Sequence, residues 1–138
     1  MVSLIIGNKG SGKTKRLIAM IDEAVEKSNG SVVVLEKSPL LTYEITHRAR
    51  LVETETYGVE GVSAFYGMIC GILAQDHDIT EIFVDATFKI IGRNYDEFVK
   101  LLVRLKYLSE TFSTDFVMTV SEDEANLPAS VFDYAQKI

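Results

Sequence analysis

Four short runs of this chain are apolar almost throughout: Val2 to Ile6, Ser31 to Leu35, Glu81 to Asp85 and Asp115 to Val120. A strand with one wet face alternates polar and apolar residues. These runs have no polar face, so layers must cover both of their sides, as in parallel sheets. The segments between them supply helices. Lys13 to Ser28 carries Leu17, Ile18, Ile21, Ala24 and Val25 at helical spacing, and Asn29-Gly30 offers left-handed residues to stop it. Gly61 to Gln75 reads as a helix despite its glycines. Asn94 followed by Glu97 signals a cap; the helix it opens buries Phe98, Leu101, Leu102, Leu105 and Leu108, with Asp96 placed to pair with Lys100.

Arg50 to Thr54 adds an edge strand, Ser121-Glu122-Asp123-Glu124 reads as a capping box, and Pro128 opens a last short helix. No repeat or linker divides the chain. The expectation is an α/β, single-domain, three-layer fold over residues 1–138, with a mainly parallel sheet of about five strands and helices on both faces. Right-handed crossovers bring every loop that follows a strand to one sheet edge, where such folds bind ligands.

The first of those loops is Gly7-Asn8-Lys9-Gly10-Ser11-Gly12-Lys13-Thr14, which fits G-x-x-x-x-G-K-[ST] at every defined position. The spacing has a chemical reason. Triphosphate oxygens need a ring of donors, and a glycine-rich loop can turn its backbone N–H groups inward around them. The positive end of the following helix adds attraction. Lys13 is placed to reach the β- and γ-phosphates, the Thr14 hydroxyl to ligate Mg²⁺, and Lys15 to complete the contact set.

With this motif between a buried strand and an amphipathic helix, the chain resembles the P-loop nucleoside triphosphatases, in particular the RecA-like division and small bacterial ATP-binding proteins. The resemblance implies a P-loop fold, a site for ATP and Mg²⁺, and an apolar strand ending in an aspartate that holds the metal; Ile82-Phe83-Val84-Asp85 fits that strand. One large division of the family places a glutamate directly after this aspartate, where this chain has Ala86. The RecA-like branch uses a glutamate near the end of the second strand to orient the attacking water, and Glu36 takes that role here by resemblance. A solvated Glu36 beside Lys37 is the equal alternative.

Ser121 resembles the polar residue that senses the γ-phosphate, although a helix cap is the favoured reading. Lys89 and Arg93 are in range of a phosphate or a neighbouring subunit, with surface solvation favoured. Guanine-specific members carry an Asn/Thr-Lys-x-Asp loop, whereas Thr119-Val120-Ser121-Glu122-Asp123 has no lysine, so ATP is preferred.

Fourteen Lys and Arg against twenty Asp and Glu give a net charge of −6, which opposes capture of a nucleic-acid backbone. Lone Cys70 excludes an internal disulfide and reads as a small core side chain, and His47 and His77 lack metal-ligand spacing. The start of the chain has no basic leader, and the longest nearly apolar run, Val62 to Ala74, is too short to cross a bilayer. A cytoplasmic setting with no membrane partner is expected. Ala64, Gly67, Gly71 and Ala74 form a stripe of small residues, expected to pack tightly within the molecule, with a homo-oligomer or protein partner as the alternative. The expected function is an ATP-binding, Mg-dependent ATPase with slow hydrolysis; the alternatives are a nucleotide-dependent sensor without turnover and a phosphotransferase resembling the thymidine kinases.

Overall fold

The computed structural model describes residues 1–41 and 44–138. Strands β1 (Val2–Gly7), β2 (Ser31–Glu36), β3 (Arg50–Glu53), β4 (Ile79–Val84), β5 (Asp115–Ser121) and β6 (Gln136–Lys137) form one sheet in the order β3-β2-β4-β5-β1-β6. Every neighbouring pair is parallel. The sheet thus has one strand more than expected. β6 has two polar, exposed residues and no apolar run to announce it; it is registered on β1 at Ser3 and Leu4.

Helix α1 (Lys13–Lys27) lies on one face. Its Leu17, Ile21 and Val25 pack with Ile5, Val32, Val34, Phe83 and Val117. Helices α2 (Gly61–Gln75), α3 (Thr87–Ile91), α4 (Tyr95–Phe112) and α5 (Val131–Tyr134) cover the other. Phe65 and Ile69 of α2 and Phe98, Leu101, Leu102 and Leu105 of α4 meet Leu4, Val33, Leu35, Ile82, Val84 and Met118 there, all 0–3% exposed. Successive residues of β2 alternate between the two cores, which is why its sequence has no polar face. Each fully buried leucine or phenylalanine contributes about 1.5–3 kcal/mol. Among the described residues no helix is long and apolar enough to cross a membrane.

Several local expectations are corrected. Gly30 has no positive φ, and neither does Asn29; α1 ends instead on the extended residue Ser28, whose N–H donates to the Ala24 carbonyl. Gly30 is required for another reason: a Cβ there would lie 2.0 Å from the Asp78 carbonyl oxygen. Asn94 does cap α4, accepting from the Glu97 N–H at 3.1 Å, but Lys100 pairs with Glu97 rather than Asp96. Ser121 is no helix cap. It ends β5, and Asp123 caps the following 3₁₀ turn, Glu124–Asn126, through the Ala125 N–H. Pro128 stands outside α5 and offers its carbonyl to the Val131 N–H. The stripe Ala64, Gly67, Gly71 and Ala74 is exposed, and a Cβ added at Gly67 or Gly71 would meet nothing within 4 Å. Cys70 is half-buried, not a core residue.

Candidate functional site

β1 delivers the chain to the sheet edge at Gly7, and the loop folds back over that edge before α1 begins. Gly10 and Gly12 both have φ +86, a conformation side chains resist. A Cβ on Gly7 would sit 2.5 Å from the Ser11 hydroxyl, so the turn closes tightly on itself. Gly12 is the N-cap of α1 and, having no side chain, leaves the first-turn amides without a side-chain acceptor; no acidic residue occupies that turn either. A helix start of this kind presents unsatisfied N–H groups and the positive end of the dipole. The Lys13 ammonium donates to the Asn8 carbonyl at 3.0 Å. Burial pushes its pKa down, partly offset by the nearby Asp85 carboxylate.

Three strands build the floor. Asp85 directly follows β4, where its N–H donates to the Leu35 carbonyl of β2 at 3.0 Å. The Thr14 hydroxyl lies 3.2 and 3.1 Å from the two Asp85 carboxylate oxygens. From the other side the Thr119 hydroxyl of β5 donates to Asp85 Oδ1 at 2.7 Å and accepts from the Ala86 N–H at 2.7 Å. Ala86 has φ +51, unusual for a residue with a Cβ, and its bond to Thr119 holds it there. Thr119 is 1% exposed and was not foreseen: a buried β-branched residue in an apolar strand carries no distinguishing signal.

Glu36 ends β2, the strand beside β4, and is 4% exposed, which overturns the solvated alternative. Its Oε1 accepts from the amides of Leu40 and Leu41 at 3.0 and 3.2 Å, and Oε2 from Leu41 at 3.3 Å. Burial raises its pKa, against the lowering pull of those two amides. The stretch after β2 thus includes a turn closed on this carboxylate. Thr42 and Tyr43, in the same stretch, lie outside the described residues.

These groups border one cavity of about 600 Å³. Of the expected loop contacts, Lys9, Gly10, Gly12, Lys13, Thr14 and Lys15 line it, together with Glu36, Asp85 and Ser121; Gly7, Asn8 and Ser11 shape the loop behind that wall. Arg93 also reaches the cavity, and it is not simply solvated. It donates to the Ser121 carbonyl at 3.1 Å, pairs with Glu122 at 3.4 Å and stacks over Phe88. Glu122 also accepts from Tyr95, Asn126 and the Asp123 amide, and these bonds, the Tyr95 hydroxyl first, hold its pKa down at about 2.

Thr14 and Asp85 are hard oxygen donors. That suits Mg²⁺, which typically takes one or two carboxylates and completes its octahedron with phosphate oxygens and water. The site therefore does not need a cluster of three or more His, Cys, Asp or Glu, and the described residues contain none. Compared with models of known protein families and with curated proteins, the chain matches none.

Proposed function

We propose that this cavity binds a nucleoside triphosphate with Mg²⁺, ATP by preference, as in the RecA-like P-loop nucleoside triphosphatases, and hydrolyses it slowly. One observation carries the reading. The Thr14 hydroxyl, in the first turn of a helix whose leading amides have no side-chain cap, meets the Asp85 carboxylate from a different strand at 3.1–3.2 Å. A polyphosphate on the loop amides would thus place its oxygens beside the pair that would hold the metal. The bound metal would supply charge neutralisation at the β- and γ-phosphates.

The roles of the chain's own residues follow. The amides of Gly10 to Thr14 bind the phosphates. Lys13 gives up its bond to the Asn8 carbonyl to reach them. Thr119 keeps Asp85 oriented. Among the described residues, Glu36 is the one carboxylate other than Asp85 on the cavity wall, and so the candidate to orient an attacking water. Its oxygens are engaged by the Leu40 and Leu41 amides. That engagement favours slow turnover, and it also favours the second reading, a nucleotide-dependent sensor whose ligand is held without being consumed.

The test is a titration of wild type and Lys13→Ala with Mg·ATP. Wild type is expected to bind and Lys13→Ala to lose at least about tenfold in affinity, the scale of one charge-assisted contact. Glu36→Gln is expected to retain binding and lose phosphate release. Equal binding by wild type and Lys13→Ala would overturn the proposal, and absence of phosphate release by wild type would leave the sensor reading.

A further inference from the structure

Gly92, Arg93 and Asn94 join α3 to α4, and both ends of this joint are fixed. Gly92 closes α3 with φ +86, a conformation that favours glycine, and Asn94 caps α4 through the Glu97 N–H. Arg93 therefore leaves the chain from a defined position. Its guanidinium stacks 5.4 Å from the Phe88 ring centroid, donates to the Ser121 carbonyl at 3.1 Å and pairs with Glu122 at 3.4 Å. The Phe88 ring packs in turn on Tyr95 and Phe98, with centroids 5.3 and 5.0 Å away. An ion pair of 3.4 Å on a half-exposed arginine adds little to stability; what these contacts fix is where the guanidinium lies.

That place is the end of the glycine loop where the Lys13 ammonium lies. Ser121 is registered on Gly7, one strand spacing of about 4.8 Å away, and the Glu122 N–H donates to the Gly7 carbonyl at 3.2 Å. The Lys13 ammonium rests on the carbonyl of Asn8, the next residue. Both cationic residues border the phosphate cavity, as does Ser121. A lysine in this position serves the β- and γ-phosphates. A guanidinium has more N–H donors than the bonds to Ser121 and Glu122 use, in a planar fork that matches phosphate oxygens. With its side chain 57% exposed, Arg93 remains open to a ligand in that cavity.

Glu122 stands off the cavity wall. Its carboxylate also accepts from Tyr95, Asn126 and the Asp123 amide, so it is fixed independently of Arg93 and can orient the guanidinium without facing a ligand. Resting on the triphosphate reading above, we propose that Arg93 contacts the terminal phosphate of the bound nucleotide and so favours triphosphate over diphosphate, with Glu122 as the positioning residue that aims it. The cation comes from the same chain as the loop, and the phosphate site is completed without a neighbouring subunit.

The full chain, as wild type, Arg93→Ala, Glu122→Ala and the double variant, is titrated in a calorimeter with the β,γ-methylene analogue of ATP and, separately, with ADP, each with Mg²⁺. In Arg93→Ala the analogue is expected to lose at least about tenfold in affinity and ADP to stay within about threefold; retained ADP binding reports that the variant is folded. Arg93→Lys, which keeps the charge without the fork, is expected to recover part of the loss. Glu122→Ala is expected to weaken analogue binding when Arg93 is present and to cost nothing further once Arg93 is alanine, whereas a merely structural role would cost the same in both backgrounds. Equal losses for analogue and ADP in an Arg93→Ala variant with wild-type circular dichroism, or no loss for either, would overturn the contact with the terminal phosphate. An additive effect of Glu122→Ala would overturn its positioning role. Should Arg93→Ala unfold, Arg93→Lys decides: a loss of about threefold or more confined to the analogue is expected, and equal effects on analogue and ADP overturn the proposal. Failure of wild type to bind either nucleotide would overturn the triphosphate reading itself.

Discussion

Glu36 holds a carboxylate where burial opposes its charge, and the sign of the consequence can be worked out. Its folded pKa is raised above the ordinary carboxylate value, with desolvation as the leading cause. The folded state therefore binds this proton more tightly than the unfolded chain does. Its contribution is fully present below the unfolded pKa and is lost as pH rises through the folded one. Glu36→Gln, which keeps an acceptor for the Leu40 or Leu41 amide, is expected to gain stability relative to wild type as pH is raised from 4 to 8. Urea unfolding at the two pH values checks this; a constant difference would mean that the charge is well solvated. Gly30 makes a second case at this scale. A methyl group there collides with the Asp78 carbonyl at 2.0 Å and with Thr80 Cγ2 at 2.9 Å. Gly30→Ala is expected to destabilise by about 1–3 kcal/mol, the usual cost of overpacking, in the same unfolding assay.

Helix α2 shows where a pattern of residue types is ambiguous at the level of an element. Small residues at intervals of three and four suggest close approach, because glycine in a helix otherwise costs about 1 kcal/mol relative to alanine. Phe65, Ile69 and Leu73 make the buried face instead, and Gly67 and Gly71 look outward into open space. Within the isolated chain their cost is uncompensated. Gly67→Ala and Gly71→Ala are each expected to raise stability by about 0.4–1 kcal/mol, read from denaturant midpoints. A loss of stability would indicate that something packs on this face in solution.

The strands were more legible than α2 because an apolar run must be covered on both sides whichever helix does it. α1 and α4 were legible because their stripes are bulky and their flanks charged. The loop at Gly7–Thr14 was legible because its glycines have a conformational necessity, visible as φ +86 at Gly10 and Gly12. What could not be read were contacts set by tertiary register. Thr119 looks like any strand threonine until β5 lies beside β4, and the engagement of Glu36 depends on a turn with no periodicity. β6 has too few residues to make a pattern.

Taken whole, the molecule brings the site together from segments far apart in sequence. Thr14 meets Asp85 across 71 positions, and Thr119 reaches Asp85 from a strand that pairs with the first residues of the chain. A ligand that bridges these segments binds only the folded state, so Mg·ATP at about a hundred times its dissociation constant is expected to stabilise the protein by about 2.7 kcal/mol. Thermal unfolding with and without the nucleotide checks this, and Lys13→Ala is expected to abolish most of the shift.

The place of β5 between β1 and β4 also bears on how the protein is made. The glycine loop is translated well before β5, the strand that supports Asp85 and separates it from β1. Until then β1 has neither of its sheet neighbours, since β6 is later still. Until β5 is in place, β1 therefore has no strand beside it, and Asp85 lacks the Thr119 hydroxyl that holds it.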